Sequence, residues 1–301
     1  MAPARTLPGV IVAVVLTFAA PDGMLEACVS SVEAADGIDH LVVVDNGRTA
    51  TARLANRDVE IVVTRENLGY AGGMNVGIRR ALELGADAVL ILNDDVVVER
   101  GVVAPLASAL AGDARLGAAQ PKLLLPGEPV RINSVGVALG RDGAGLDVGL
   151  GEVDGPAFAE DRDIDAFTGG AVLLRADFLR EVGLFDERYF LYYEDVDLSL
   201  SGAERGWRYR CVPASRVVHE GGVSALHETV RDRTIYLRER NRLWILVRYR
   251  PIGDIARGLW LSVRRVRWSP RRTHARALLA GLVAVPRLRA ARRRARRVRG
   301  A

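Results

Sequence analysis

The chain opens on a run of apolar residues, VIVAVVLTF, with no polar alternation, the pattern of a strand buried on both faces of a sheet. After it, MLEACVSSVEAA repeats its apolar positions at helical spacing. LVVVDNG and VEIVVTREN read as two further strands, GGMNVGIRRALELG as a helix, and AVLILNDDVVV as another strand. Strands and helices in alternation imply a parallel sheet with helices on both faces. Each apolar run ends in polar or glycine residues, at 45–47, 67–69 and 93–95. Ligands of open parallel sheets bind beyond the carboxyl ends of the strands, so these three loops are expected to share one rim.

From Pro126 to Asp165 the chain turns rich in Gly and Asp, with weak apolar alternation around Val135 to Leu139, which implies hairpins or a mobile loop region. Order returns with FTGGAVLLR, a helix over Ala176 to Val182, the segment FDERYFLYYEDVDLSLSGAERG and a strand YRCVPASRVVHEGG. These read as the second half of the same domain. There is no internal repeat, and Arg-rich low complexity begins only after Pro286.

Charge changes this picture at one end. The formal charge of +5 conceals 22 arginines against Asp232, Glu239 and Asp254 from Arg231 onward, so an acidic body carries a basic tail. Residues Asp254 to Trp268 set Ile255, Leu259, Trp260, Val263 and Val266 among Arg257, Arg264, Arg265 and Arg267, an amphipathic basic helix of the kind that lies on anionic membranes. The later RLRAARRRARRVRG adds polybasic charge. An anionic membrane surface is therefore an expected partner, with a solvated tail packed on the body as the plainer alternative. Nucleic acid is not expected, because interleaved aromatic platforms are sparse and the body is acidic.

Two further properties bound the chain. Cys28 and Cys211 stand in no metal-ligand spacing and read as buried, reduced residues rather than a disulfide or zinc framework. The stretch from Leu7 to Ala20 has some features of a secretory signal but serves the fold as its first strand, and no apolar run reaches the ~18 residues of a membrane span. A cytoplasmic protein, peripheral on the inner face of the cell membrane, is the expectation.

Four clusters carry candidate chemistry. Asn93, Asp94 and Asp95 end a buried strand, where adjacent carboxylates repel unless a cation or hydrogen-bond donors sit among them; Mg2+ or Mn2+ shared with substrate phosphates meets that need, and a polar helix cap is the alternative. ENLGYAGGMNVGI crowds Gly69, Gly72, Gly73 and Gly77 around Asn67 and Asn75 before a helix, which would let backbone and a positive helix end approach an anion; a plain turn into a helix is the alternative. YYEDVDLSL starts an apparent helix with Glu194, Asp195 and Asp197, three acids that invite a raised pKa or simply favour the helix dipole. His219 closes a strand and precedes Glu220, Gly221 and Gly222, so it stands at a strand end.

In this order and spacing, NLGYAGGMNVGI, LNDDVVV, TGGAVLLR, FDERYFLYYEDVDL and VVHEGG resemble the family-2 inverting glycosyltransferases, most closely the bacterial rhamnosyltransferase-like members, over about Val10 to Asn241. The resemblance implies a GT-A fold, a Rossmann-like α/β architecture with a mixed, mostly parallel sheet flanked by helices. It would occupy residues 8–226, with a nucleotide-sugar half to about 125 and an acceptor half from 126, followed by a basic helical extension over 227–301. It implies a dTDP- or UDP-sugar donor, rhamnose or similar, a lipid-linked or cell-envelope glycan acceptor, and a divalent cation. By the same resemblance Asp45 accepts the N3–H of the base with Thr17 in the same pocket, and Asn67 to Gly73 lie against ribose and diphosphate. Asp94 faces the ribose, Asp95 and His219 hold the metal with Asn93 beside them, Gly169, Gly170 and Glu194 lie near the sugars, and Asp195 is the base. The sequence departs from the family at Asn93, where a carboxylate is usual, and at Arg48, Ala50 and TFAAP. A nucleotidyl- or other phosphoryl-group transferase is the enzymic alternative, since it shares a metal and a nucleotide.

Overall fold

The computed structural model describes residues 9–220, 228–267 and 270–299, with side chains omitted at 228–230 and beyond Pro286. The Arg-rich side chains after Pro286, the end of VVHEGG and the boundary expected at Leu226 lie outside the described residues. In chain order the first half comprises β1 (Ile11–Thr17), α1 (Met24–Glu33), β2 (His40–Asp45), α2 (Ala50–Arg53), β3 (Glu60–Val63), α3 (Gly69–Glu83), β4 (Ala88–Asn93), β5 (Val96–Val98) and α4 (Val103–Gly112). The second half comprises β6 (Leu116–Leu125), β7 (Arg131–Ser134), β8 (Val137–Leu139), β9 (Gly145–Asp147), β10 (Arg162–Ile164), β11 (Ala171–Arg175), α5 (Ala176–Val182), α6 (Glu194–Ala203) and β12 (Arg208–His219). Helices α7 (Glu228–Tyr249), α8 (Ile252–Arg265) and α9 (Arg271–Arg299) follow.

The main sheet runs β10-β12-β6-β11-β4-β1-β2-β3, with β5 added to β12 and β7 to β6. Strands β3, β2, β1 and β4 are mutually parallel, β6 is parallel to β12, and β11 enters antiparallel between β4 and β6. The sheet is thus mixed and mostly parallel, as expected. Unbroken apolar strands follow from burial on both faces. On β1, Ile11, Ala13 and Val15 pack with α1 and α4, while Val12, Val14 and Leu16 pack with α3. Helix α3 comes close to the sheet because Gly77 has no side chain; a Cβ there would sit 2.2 Å from Val14 and 2.9 Å from Val44.

The segment from 126 to 165 is built rather than loose. Strands β7 and β10 join the main sheet, and Phe158, Ile132, Leu124 and Cys211 form a small core beneath it. Both cysteines are buried and free, as the sequence implied.

Two compact units emerge. One holds residues up to 138 with 147–190 and 194–221, and the other holds 139–146, 191–193 and 222–301. The sequence placed the division at 226 but could not assign 139–146 and 191–193 to the C-terminal unit. Within that unit α7 is the central element: Leu243, Trp244, Ile245, Leu246 and Val247 are buried along it. Burial pushes the Glu239 carboxyl upward, but hydrogen bonds from Arg242 at 2.7 Å, Ser262 and Arg265 at 2.8 Å outweigh it and hold the group at about 2. Removing one member of such a buried network leaves the remaining charge uncompensated.

Candidate active site

The rim forms because parallel neighbours end together. Thr17 pairs with Asp45 and Leu16 with Asn93, so the loops after β1, β2 and β4 stand side by side. Strand order reverses between β1 and β4, the position where a parallel sheet opens a crevice. Asp94 lies there, accepting the Phe18 amide at 3.3 Å. Burial raises its carboxyl, opposed by the Thr17 hydroxyl and the Phe18 amide. Thr17 is fully buried beneath the rim, whereas the Phe18 ring is more than half exposed on it.

Three of the expected donor contacts fall on residues that also hold the rim together from within. Asp45 is fully buried, and its carboxylate accepts the amides of Gly47, Thr49, Ala50 and Thr51 at 2.8–3.3 Å. It caps the start of α2, where its oxygens take up these four amides. The start of α3 is likewise satisfied from within. Leu68 N–H donates to Asn46, Gly69 N–H to Asn67 and Ala71 N–H to the Phe190 carbonyl, which leaves these amides no open face toward a diphosphate. Gly69 has φ +69°, and a Cβ on it would meet the Phe190 carbonyl oxygen at 2.3 Å; Gly72 and Gly73 turn inward against Leu68 and Leu16. The glycines therefore serve close packing. Asn75 is buried and latches the Phe185 backbone, donating to its carbonyl at 2.8 Å and accepting its amide at 3.0 Å.

Asp95 and His219, named from the sequence as candidate metal ligands, lie side by side. Strand β5, which follows Asp95 directly, pairs with the end of β12 so that His219 lies opposite Val96, and Glu220 N–H donates to the Asp95 carbonyl at 2.9 Å. His219 Nε2 is 3.1 Å from Asp95 Oδ1 and 3.5 Å from the Asn93 amide. Burial pushes the Asp95 carboxyl up, but His219 outweighs it and the group stays low. On its other side His219 Nδ1 lies 2.9 Å from Asn133 Oδ1. With Nδ1–H donating to that acceptor, the cationic ring holds Asp95 low, and the neutral ring, the form that ligates a metal, turns its Nε2 lone pair toward Asp95. Asp95 Oδ1 is buried and receives no hydrogen bond. Two acceptors facing each other across 3.1 Å suit a cation between them, and a ring nitrogen with one carboxylate is a donor set that leaves room for phosphate oxygens. Among the described residues no group of three or more His, Cys, Asp and Glu is arranged to hold a metal.

The acidic cluster separates into three roles. Asp197 accepts the Tyr189 hydroxyl at 2.9 Å and is buried with it. Glu194 is buried with Oε2 unpartnered, and burial plus the neighbouring Asp195 push its carboxyl well above the usual range. Asp195 is half-buried at the start of α6. Its Oδ2 accepts Gly169 N–H at 2.9 Å and its Oδ1 accepts Val196 N–H at 2.7 Å. Burial raises its carboxyl to about 6 against the pull of these amides, with Asp147 adding to the rise. Sequence reasoning attributed the rise to Glu194 and Asp197; desolvation is the larger cause.

The TGG turn joins the two corners. Gly169 N–H binds Asp195, and its carbonyl accepts the hydroxyl of Tyr70, a half-buried residue of the NLGYAGG motif, at 2.5 Å. Next along the chain, the Gly170 carbonyl accepts Asn93 N–H at 3.0 Å, and a Cβ on Gly170 would lie 3.3 Å from the His219 ring. Gln120 Oε1 fixes the turn from the sheet side through Thr168 N–H at 2.9 Å. Sequence reasoning missed Tyr70, Gln120, Asn46 and Asn133. Tyr70 and Asn46 lie inside quoted motifs, so their position signalled them; Gln120 and Asn133 sit in strands with no distinguishing pattern.

The chain matches the family model described as "Glycosyltransferase like family 2" over residues 8–244. It is 28% identical over 260 residues to an N-acetylglucosaminyl-diphospho-decaprenol L-rhamnosyltransferase of Mycobacterium tuberculosis, covering 77% of this chain and 79% of the relative. It is 26% identical over 221 residues to the low-salt glycan biosynthesis hexosyltransferase Agl10 of Haloferax volcanii, covering 68% and 66%. Among solved structures, GalNAc-T7 with UDP, GalNAc and Mn2+ aligns with a TM-score of 0.65 at 15% identity over 89% of this chain. S. aureus TarS aligns at 0.51 and 13% identity over 87%. The chain spans about half the length of these two structures, 54% and 44%, and the likeness is one of fold.

Proposed function

The chain belongs to glycosyltransferase family 2, and from that premise we propose that it transfers a hexose, rhamnose or a similar sugar, with inversion from a dTDP- or UDP-sugar to a hydroxyl of a lipid-linked or cell-envelope glycan. The observation that carries the reading is Asp195, a half-buried carboxylate held by two backbone amides and raised to about 6, one turn away from the Asp95–His219 corner. A base of that pKa is ionised near neutral pH and still basic enough to take a proton.

Inversion needs a base on one face of the anomeric carbon and a leaving diphosphate on the other, with no covalent intermediate. Asp195 takes the proton of the acceptor hydroxyl as its oxygen bonds to the anomeric carbon, and the bond from that carbon to the nucleoside diphosphate breaks. The Gly169 and Val196 amides keep the carboxylate oriented while leaving lone pairs for the proton. Burial and Asp195 both oppose a second negative charge on Glu194 beside it. Asp95 and His219, with Asn93 next to them, would hold a divalent cation, which supplies charge neutralisation for the departing diphosphate. The nucleoside lies on the rim between β1 and β4, where Asp94 and the exposed Phe18 ring are available, with Thr17, Asp45, Asn67, Gly69, Gly72, Gly73 and Asn75 supporting that rim from beneath.

A decaprenol-linked acceptor in the name of one relative, together with the basic tail, supports work as a peripheral enzyme at the inner face of the membrane. No helix among the described residues is long and apolar enough to cross a bilayer. The test is a screen of nucleotide sugars, dTDP-rhamnose and the UDP-hexoses first, for metal-dependent turnover. Release of nucleoside diphosphate is expected; release of pyrophosphate would replace sugar transfer by nucleotidyl transfer.

A further inference from the structure

Helices α8 and α9 both turn one face onto α7. From α8, Ile255, Gly258 and Ser262 are buried, Gly258 against Leu246 and Ser262 on Glu239 and Arg242. From α9, Ala277, Gly281 and Ala284 are buried, with Gly281 against Leu243. This sorts the amphipathic segment differently from its sequence pattern. Ile255 and Arg265 point inward, Arg265 to Glu239 at 2.8 Å, and belong to the bundle.

The opposite faces are left apolar. On α8, Ile252, Trp260 and Val263 are exposed, and on α9, Leu279, Leu282 and Val283; each keeps between 44% and 77% of its surface in solvent. Exposed arginines stand among them: Arg257, Arg264 and Arg267 on α8 or just past it, and Arg272 and Arg276 on α9. Arg264 lies over the Trp260 ring at 4.7 Å, a cation on an aromatic body of the sort that suits a boundary between headgroups and acyl chains. Asp254 is the last acid in the chain and is buried, so fifteen arginines follow it with no carboxylate among them.

We propose that the outward faces of α8 and α9 form a docking surface for an anionic lipid bilayer. The proposal deepens the peripheral reading given above by naming the residues that enter the surface and the second helix that shares the contact. Aliphatic side chains in this number have no use against a nucleic-acid backbone, whereas a bilayer takes both them and the arginines. The absence of acids from the two faces gives the charge complementarity. A second copy of the chain would present the same arginines to each other, so self-association is opposed by like charge.

The experiment is co-sedimentation of the full chain, without sugar donor, with vesicles of phosphatidylcholine alone or with roughly 30% phosphatidylglycerol, at about physiological salt. Binding at least tenfold tighter to the anionic vesicles is expected, with a blue shift of tryptophan emission. The double variant Trp260→Glu/Val263→Glu, and separately Leu279→Gln/Val283→Gln, should each lose about tenfold, with melting curves like wild type because the changed residues are exposed. Val153→Glu, an exposed residue of the other unit, should bind as wild type. Equal binding to neutral vesicles, or wild-type binding by both double variants, would overturn the proposal. So would retention on duplex DNA without vesicle binding, or a dimer abolished by Trp260→Glu/Val263→Glu. Since no donor enters the assay, its failure leaves the sugar-transfer reading to be judged by nucleoside diphosphate release alone.

Discussion

Replacing Asp195 by Asn tests the base through stability alone, without any substrate. Burial moves the carboxyl from 3.8 to about 6 in the folded chain. Two pH units correspond to ~3 kcal/mol at 1.36 kcal/mol per unit, and because Asp195 is only half-buried, water screens part of this, leaving roughly 1–3 kcal/mol. The sign follows from linkage. A carboxyl raised on folding binds its proton more tightly in the native state, so it destabilises the wild type above pH ~6 and ceases to do so as pH falls through 6 toward 3.8. Asparagine carries no such titration. Its amide oxygen can accept from only one of Gly169 and Val196, and the other N–H loses its acceptor at a cost of ~1–3 kcal/mol that is the same at every pH. The measurable quantity is therefore the change in the difference: between pH 4 and pH 8 the melting temperature of Asp195→Asn should rise relative to wild type by roughly 3–8 °C. Other acidic groups cancel because both proteins carry them, except Glu194, which loses the repulsion of Asp195 in the variant and shifts the difference in the same direction. Parallel melting curves across that range would show that Asp195 is not raised and would refute the reasoning that poises it as a base.

Tyr70→Phe removes the donor to the buried Gly169 carbonyl, so stability should fall by ~1–3 kcal/mol and turnover should fall with donor KM little changed; unchanged kcat would separate the TGG turn from the base. Gly77→Ala drives a methyl into Val14 and Val44 and should cost ~1–3 kcal/mol in a denaturant titration while activity per folded molecule persists. Asp95→Ala should weaken metal-dependent nucleotide binding, measured calorimetrically with and without Mn2+, and an unaltered metal titration would remove Asp95 from the metal corner.

The sequence was most legible where burial is two-sided and continuous. Strands β1, β2 and β4 announce themselves as apolar runs, and the residues that end them fall on one rim because parallel neighbours stop in register. Asp95, His219 and Asp195 stood out in the sequence because each lies at a strand end or a helix start. What local pattern could not convey is which way a polar side chain turns. Asp45 caps α2, and Asn75 holds Phe185, 110 residues away, a contact that only tertiary structure creates. Glycines in NLGYAGG signalled close approach, and within the chain that approach is to Leu68, Leu16 and Phe190. On α8, helical periodicity marked an amphipathic element but grouped Ile255 and Arg265 with the residues of a membrane-binding helix, because the bundle that claims them is formed by α7.

The most direct test of sugar transfer by Asp195 is nucleoside diphosphate release from dTDP-rhamnose and UDP-hexoses by wild type and Asp195→Asn, beside Mn2+-dependent nucleotide binding by both. Turnover by the wild type, its loss by at least ~10²-fold in the variant, and equal nucleotide affinity in the two are the expected results. Undiminished turnover by Asp195→Asn, or loss of nucleotide binding together with turnover, would contradict its assignment as the base.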